Sequence, residues 1–158
     1  MQFSLDALRA PDVLALLDEH WRDMHAQSPP ESVHALDIDQ LRKPGIRFWV
    51  ARAESGALLG CGALKALDAH HAEIKSMRTV HAARGQGIGR QLLMHLLADA
   101  QHQGHHRVSL ETGAEPGFAP ARALYASAGF ALCPPYPPYV EDPNSVFMTL
   151  CLTAPAPR

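Results

Sequence analysis

Long apolar runs, blocks of one charge and a cysteine framework are all missing from this sequence, and each absence excludes something. No stretch approaches the roughly 18 apolar residues of a membrane span, and the N-terminus lacks the charged-then-apolar pattern of a secretory leader. A cytoplasmic protein with no membrane partner is therefore expected. Fourteen Lys and Arg residues stand against sixteen Asp and Glu, a net charge of -2 with no basic run, which excludes a nucleic-acid footprint of the usual basic kind. The three cysteines, Cys61, Cys133 and Cys151, are odd in number and unrelated in spacing. That pattern suits reduced thiols serving as small core residues rather than disulfides or nucleophiles.

Ten histidines raise the question of a metal. His102, His105 and His106 bracket Gly104, where a helix should stop, and polar or cationic side chains there complement the negative helix end. His70 and His71 fall in a turn, and no carboxylate or cysteine is spaced to join either group, so no metal is expected. The 158 residues fit one domain spanning 1–158, long enough to bury about two-thirds of its unfolded surface without a staple.

What the sequence does contain is concentrated in Ala72–Gly104. A strand-like run ending in Met77, Arg78, Thr79 and Val80 leads into Arg84-Gly85-Gln86-Gly87-Ile88-Gly89. Apolar residues then recur at Ile88, Leu92, Leu93, Leu96, Leu97 and Ala100, one face of a helix. Glycines at a sharp turn let successive N–H groups converge on one anion as the helix begins, and the helix end adds roughly half a positive charge. Phosphate is the natural guest, with Arg84 and Arg90 as supplementary donors. The plainer alternative is a turn that only lets strand and helix pack closely. No Lys-Ser or Lys-Thr follows the last glycine, and the final glycine spacing is too short for a dinucleotide fingerprint, so both of those nucleotide motifs are excluded.

The rest of the chain arranges itself around that stretch. Gln2–Leu5 alternates as a short strand, and Pro11 opens a helix with an apolar stripe of Val13, Leu14, Leu17, Trp21 and Met24, running to about Ala26. Ser28-Pro29-Pro30 breaks it, and Asp37–Arg42 supplies one or two more turns. Ile46–Ala53, Ala57–Leu67 and Ala72–Val80 read as three consecutive antiparallel strands, with Gly60 and Gly62 marking a close approach in the middle one. Arg107–Thr112 follows a helix and should lie parallel to Ala72–Val80 through a right-handed crossover. Pro120–Ser127 forms a short helix stopped by Gly129, and Ala131–Cys133 and Ser145–Leu152 close the sheet. Between the closing strands runs a proline-dense loop, stiffened by its fixed φ angles, that carries Tyr136 and Tyr139. These tyrosines have two open roles, substrate recognition or simple cover. The tail Thr153–Arg158 is short and polar and adds little.

The run Arg84–Gly89, preceded by a strand that holds Glu73 and followed by a helix, resembles the acetyl-CoA-binding motif of the GNAT (GCN5-related N-acetyltransferase) superfamily. Ala123-Leu124-Tyr125 and Gly129-Phe130 resemble that family's last helix, and the similarity covers most of the chain. Closer still is the likeness to small bacterial acetyltransferases of undefined substrate. The resemblance implies an α/β (α+β) fold with a central mixed, mostly antiparallel sheet in which two parallel strands splay apart, flanked by helices. It also implies acetyl-CoA as cosubstrate, with its diphosphate on Arg84, Gly85, Gln86, Gly87, Ile88, Gly89 and Arg90. The pantetheine arm would then lie on the strand edge at Met77, Arg78 and Thr79. Tyr125 matches the tyrosine that faces the thioester sulfur. Dimers through the closing strands are common in the family, so a homodimer is compatible with the resemblance.

Acetyl transfer to an amine needs a base, a polarised carbonyl and a proton for the leaving thiolate. Glu73 stands where histone-acetylating members hold their base, with a rim or salt-bridging carboxylate as the plainer reading. Glu111 is the second choice, and ordered water could replace either. The acceptor is expected to be a small-molecule or peptide amine, with His34, Tyr136 and Tyr139 as candidate contacts. Asp37 and Asp39 are weaker ones. His81, Ala82 and Ala83 depart from the family's loop pattern, and Glu111-Thr112-Gly113 stands where an asparagine is frequent. A non-catalytic acyl-CoA-binding sensor is the alternative function, and a partner-binding domain without a cofactor is a further one.

Overall fold

Strands β1 (Gln2–Leu5), β2 (Ile46–Arg52), β3 (Leu58–Ala66), β4 (His71–Thr79), β5 (Arg107–Gly113), β6 (Ala131–Leu132) and β7 (Ser145–Cys151) form one sheet in the computed structural model, which describes residues 1–152. The expectation for the tail 153–158 lies outside the described residues. Their order is β1-β2-β3-β4-β5-β7-β6. Every neighbouring pair is antiparallel except β4 and β5, which are parallel as the intervening helix requires. The sheet is mixed and mostly antiparallel, as the sequence predicts.

The parallel pair is short. Its register runs from His71 opposite Arg107 to Ile74 opposite Leu110, and β4 then continues to Thr79 and β5 to Gly113 without pairing. The parting begins where β4 is irregular. Ser76 and Met77 together oppose the single residue Gly62 of β3, between the pairs Cys61–Arg78 and Ala63–Lys75. Ser76 adopts a φ of 53°, the left-handed region that a non-glycine residue enters at a cost of roughly 1–2 kcal/mol. Such a bulge increases local twist and re-aims the strand beyond it.

Helix α3 (Ile88–His102) packs on one face of the sheet with α4 (Ala119–Ser127), while α1 (Pro11–Gln27) and α2 (Ile38–Leu41) cover the other. Leu92, Leu93 and Leu96 of α3 are fully buried, each contributing about 1.5–3 kcal/mol of apolar transfer. The same helix buries Asp99, which accepts two bonds from Arg47 at 2.8 and 3.0 Å and one from the Trp49 indole at 2.8 Å. Those donors make the buried charge tolerable.

Two sequence expectations are corrected. On α1 the buried residues are Val13, Leu16 and Leu17, whereas Trp21 is 42% exposed and lies against His25 with ring centroids 4.1 Å apart. The face turned to the sheet is rotated so that His20 takes the place expected of Trp21, while Met24 stays on it as expected. Cys61 is a buried core thiol, but Cys133 is half-buried and Cys151, last in β7, is exposed. Among the described residues no helix is long and apolar enough to cross a membrane.

Gly60 and Gly62 do mark close approach. A Cβ on Gly60 would lie 2.8 Å from both the Arg78 carbonyl oxygen and Leu92 Cδ1, whereas one on Gly62 would crowd only Leu96 Cδ1, at 2.8 Å. A leucine methyl can rotate away, but a strand carbonyl cannot. Gly60→Ala is expected to lower stability by about 1–3 kcal/mol, clearly more than Gly62→Ala. Urea unfolding of the two variants checks this, and equal midpoints would contradict it.

Candidate active site

The turn before α3 is built by two glycines in the left-handed region, Gly85 at φ 77° and Gly87 at φ 78°. A Cβ on either would meet nothing within 4 Å, so these glycines are not present to let a strand and a helix touch. Gly87 is the N-cap of α3, and no side chain caps that helix end. Its first amides therefore remain available as donors at the positive end of the helix dipole. Beside them lies a groove of about 550 Å³ lined by Arg84, Gly85, Gly87 and Arg90 at one end and by Thr79, Met77 and Tyr125 further along.

The predicted cofactor residues divide. Gly89, Ile88 and Arg78 also face this groove, but Gln86 is not among the residues that line it; it is exposed, and its side-chain amide donates to the Ala82 carbonyl at 3.4 Å. Arg78 contributes backbone more than charge, because its guanidinium is committed to Glu19 (2.9 Å) and Asp23 of α1. Arg90 donates to Ser127 Oγ at 3.3 Å, tying the start of α3 to the end of α4.

Where β4 and β5 have parted, the groove opens into a chamber of about 100 Å³. Tyr125, Met77, Phe118 and His20 line both spaces, while Lys75, Ser76, Glu111 and His34 line the chamber alone. Tyr125 reaches it from α4 and stands edge-on to Phe130 at 5.8 Å. Burial, helped by the nearby Glu111 charge, pushes its phenol up to about 12, so it holds its proton. Glu111 is raised to about 7, mainly by burial, with the Ser145 hydroxyl and then the Lys75 ammonium opposing the shift. His20 is depressed to about 4 by burial and then by the Arg78 charge, which leaves its ring neutral.

Glu73 has a different setting. It is 1% exposed, and its Oε2 accepts from both Tyr136 and Tyr139 hydroxyls at 2.6 Å. Burial and then the Glu73 charge hold both phenols far above their usual range, so they remain donors. Lys75 donates to the His34 carbonyl at 2.9 Å and to the Tyr139 hydroxyl at 2.7 Å, with its Nζ 3.9 Å from Glu73 Oε1. Burial holds Lys75 below the usual lysine value. Glu73, Tyr136 and Tyr139 thus form a sealed cluster under the proline-rich loop and are not among the residues lining the chamber. Of the two candidate carboxylates, Glu111 lines it.

The loop is further held by Asp142, which accepts from Ser32 Oγ at 2.6 Å. Asp37, one of the weaker candidates, caps α2 by accepting from the Gln40 amide at 2.8 Å. Among the described residues no three His, Cys, Asp or Glu side chains converge as a metal set. Sequence reasoning missed His20 and counted Met24 only in the apolar stripe of α1, although the i, i+4 and i+8 spacing of Leu16, His20 and Met24 was a usable signal. It also missed Phe118, whose ring atoms come within 2.1 Å of where a Gly113 Cβ would stand. That contact explains a glycine at 113, close to where the asparagine was expected.

Comparison with known proteins bears on this geometry. The sequence model of the acetyltransferase (GNAT) family matches residues 13–130. The chain is 50% identical over 149 residues to the uncharacterized N-acetyltransferase YsnE of Bacillus subtilis, covering 94% of this chain and 98% of that protein. It is 46% identical over 147 residues to the uncharacterized N-acetyltransferase YedL of Escherichia coli, covering 93% and 92%. A GNAT family acetyltransferase from Elizabethkingia anophelis with acetyl-CoA bound shares the fold at a TM-score of 0.69 and 20% identity, over 96% of this chain and 97% of that one.

The glycine turn can be tested against a matched control. Gly87 and Gly45 both have left-handed φ, 78° and 89°, and both face open space, so an alanine at either costs roughly 1–2 kcal/mol of backbone strain. Gly87→Ala is expected to weaken coenzyme A binding by about tenfold or more, since the strain displaces anion-binding amides. Gly45→Ala is expected to leave it unchanged. Titration calorimetry reads both.

Proposed function

The chain belongs to the GNAT acetyltransferase family, and from that premise we propose that this N-acetyltransferase moves an acetyl group directly from acetyl-CoA to the primary amine of a small molecule or peptide. The observation that carries the reading is the meeting of groove and chamber at Tyr125. One space is anion-binding at its far end, the other holds a carboxylate, and a protonated phenol stands between them.

The amides after Gly87, with Arg84 and Arg90, hold the diphosphate of the cosubstrate. Beyond Ile74 the β5-facing edge of β4 is released, so the backbone of Met77, Arg78 and Thr79 can bond a pantetheine arm and polarise the acetyl carbonyl. The Elizabethkingia protein of the same fold has acetyl-CoA bound, which is in keeping with acetyl-CoA as the cosubstrate. The bound thioester supplies the acetyl group; everything else in the step falls to side chains. Glu111, poised near neutral pH, takes the proton that the amine sheds as its nitrogen bonds the acetyl carbon. Tyr125 gives its proton to the sulfur as the carbon–sulfur bond breaks, and the amine's proton, passed back through Glu111 or water, restores the phenol. Such positioned acid and base groups contribute typically 10²–10⁴-fold each. Glu73 acts one layer out, fixing Tyr139 and through it Lys75. The cysteines have no part: none of the three lines the groove or the chamber, and Cys61 is pushed up to about 12 by burial and stays a thiol.

The pH dependence follows from the sign of the Glu111 shift. A base works only when deprotonated, so kcat/KM is expected to rise with pH through about 7, apart from any later limb due to the acceptor's own ammonium. Glu111→Gln should remove that limb and lower kcat by about 10²-fold or more. Tyr125→Phe should lower kcat similarly while acetyl-CoA binds as before. Free-thiol release across pH 5.5–9 tests both. If Tyr125→Phe turned over at the parental rate, Tyr125 would not be the acid; if the parent bound acetyl-CoA but released no thiol with any amine, the acyl-CoA sensor reading would replace this one.

A further inference from the structure

The chamber carries more polarity than acetyl transfer needs. Lys75 is 8% exposed and lines it. Two of the three ammonium donors go to the His34 carbonyl and the Tyr139 hydroxyl, which leaves one for the chamber. Glu73 does not absorb that donor. Its Oε2 is taken by two phenols, and its Oε1 stands 3.9 Å from Nζ, beyond a hydrogen bond.

The bulge adds a second donor. On a regular strand Lys75 and Ser76 would point to opposite faces, but with Ser76 in the left-handed region both line the same chamber. Ser76 Oγ is buried and has no hydrogen-bond partner, and an orphaned buried hydroxyl calls for an explanation. Glu111 lines the same small space and presents an acceptor.

Resting on the acetyltransferase reading above, we infer that the acceptor is a small zwitterion of the amino-acid class, its carboxylate held by Lys75 and Ser76 and its ammonium placed beside Glu111. Burying a single net charge is costly, whereas a zwitterion met by a complementary group at each end adds none. The volume agrees. About 100 Å³ is several times the roughly 10–15 Å³ that one water needs by the same measure, enough for a short amino acid. Once bound, the ammonium gives one proton to Glu111 to become the attacking amine. Glu111 releases that proton to solvent; then, as the carbon–nitrogen bond forms and the carbon–sulfur bond breaks, Glu111 takes the nitrogen's second proton, the thiolate takes the Tyr125 proton, and the proton on Glu111 returns through water to the phenolate.

The test is a panel of short amino acids, each beside its methyl ester and its decarboxylated amine, assayed by free-thiol release with acetyl-CoA. The amino acids are expected to exceed both analogues in kcat/KM by about tenfold or more, the scale of a charge-assisted bond. Lys75→Met and Ser76→Ala should each shrink that preference, with acetyl-CoA affinity by calorimetry reporting that the variant has folded. Wild-type enzyme that acetylates esters and decarboxylated amines as well as the amino acids overturns this inference and leaves the acetyltransferase reading standing. Acetyl-CoA binding without transfer to any amine overturns both. The wild-type comparison stands even if Lys75→Met fails to fold.

Discussion

Two parallel strands that stop pairing after four residues set the terms for everything else in this molecule. Unpaired strand edges inside a protein are costly, because each amide and carbonyl deprived of water needs a partner. The fold makes a virtue of that cost by placing the released edge of β4 on a groove, where a ligand with its own amides can complete the ladder. The opening also connects the two faces of the sheet. Tyr125 belongs to the α3–α4 side, Lys75 and Glu111 to the α1 side, and they line one chamber because no strand pairing separates them there.

The parting needs to be held open, and the bulge at Ser76 does this from within β4. Its left-handed φ is a local expense, tolerated because Cys61 Sγ donates to the Ser76 carbonyl at 3.3 Å and because Gly62 opposite has no side chain to obstruct the bulge. The polar cluster around Glu73 works from the other side. A carboxylate so deeply buried would be ruinous alone, yet two phenols and a nearby ammonium satisfy it. In return it anchors the proline-rich loop, and that loop supplies the hydroxyl that orients Lys75.

The glycine turn was legible in the sequence because its constraint is local: residues at positive φ beside a helix start must be glycine, whatever surrounds them. Strand order through β4 and the parallel crossover were legible for a similar reason, since connection length dictates which pairings are reachable. The bulge was not, because its only trace is a change of apolar phase from Ala72 and Ile74 to Met77, too short a run to read as an inserted residue. Glu73 and Glu111 could not be ranked either. They share a face of the sheet and lie close in register, Glu73 being opposite Ser109, and what distinguishes them is a covering loop that arrives from more than sixty residues away. Asp99 was hidden by the opposite effect: its partners Arg47 and Trp49 lie about fifty residues upstream on β2, so no helical period could announce a buried charge.

The remaining question is what keeps α1 in register, since His20 and Met24 wall both the groove and the chamber. Arg78 answers it from the re-aimed end of β4, where its largely buried guanidinium pairs with Glu19 and Asp23, which flank His20 on successive turns of the helix. Both acids are about half exposed, and exposed ion pairs contribute little to stability; the helix is held down by Val13, Leu16 and Leu17. Apolar contacts of that kind tolerate rotation and sliding, however, and one guanidinium nitrogen donating to two carboxylates four residues apart does not. The ion pairs therefore specify where along the sheet α1 sits rather than how tightly. A displacement of α1 by one residue would carry His20 and Met24 away from the junction at Tyr125, so the strand that opens the site also positions the helix that walls it.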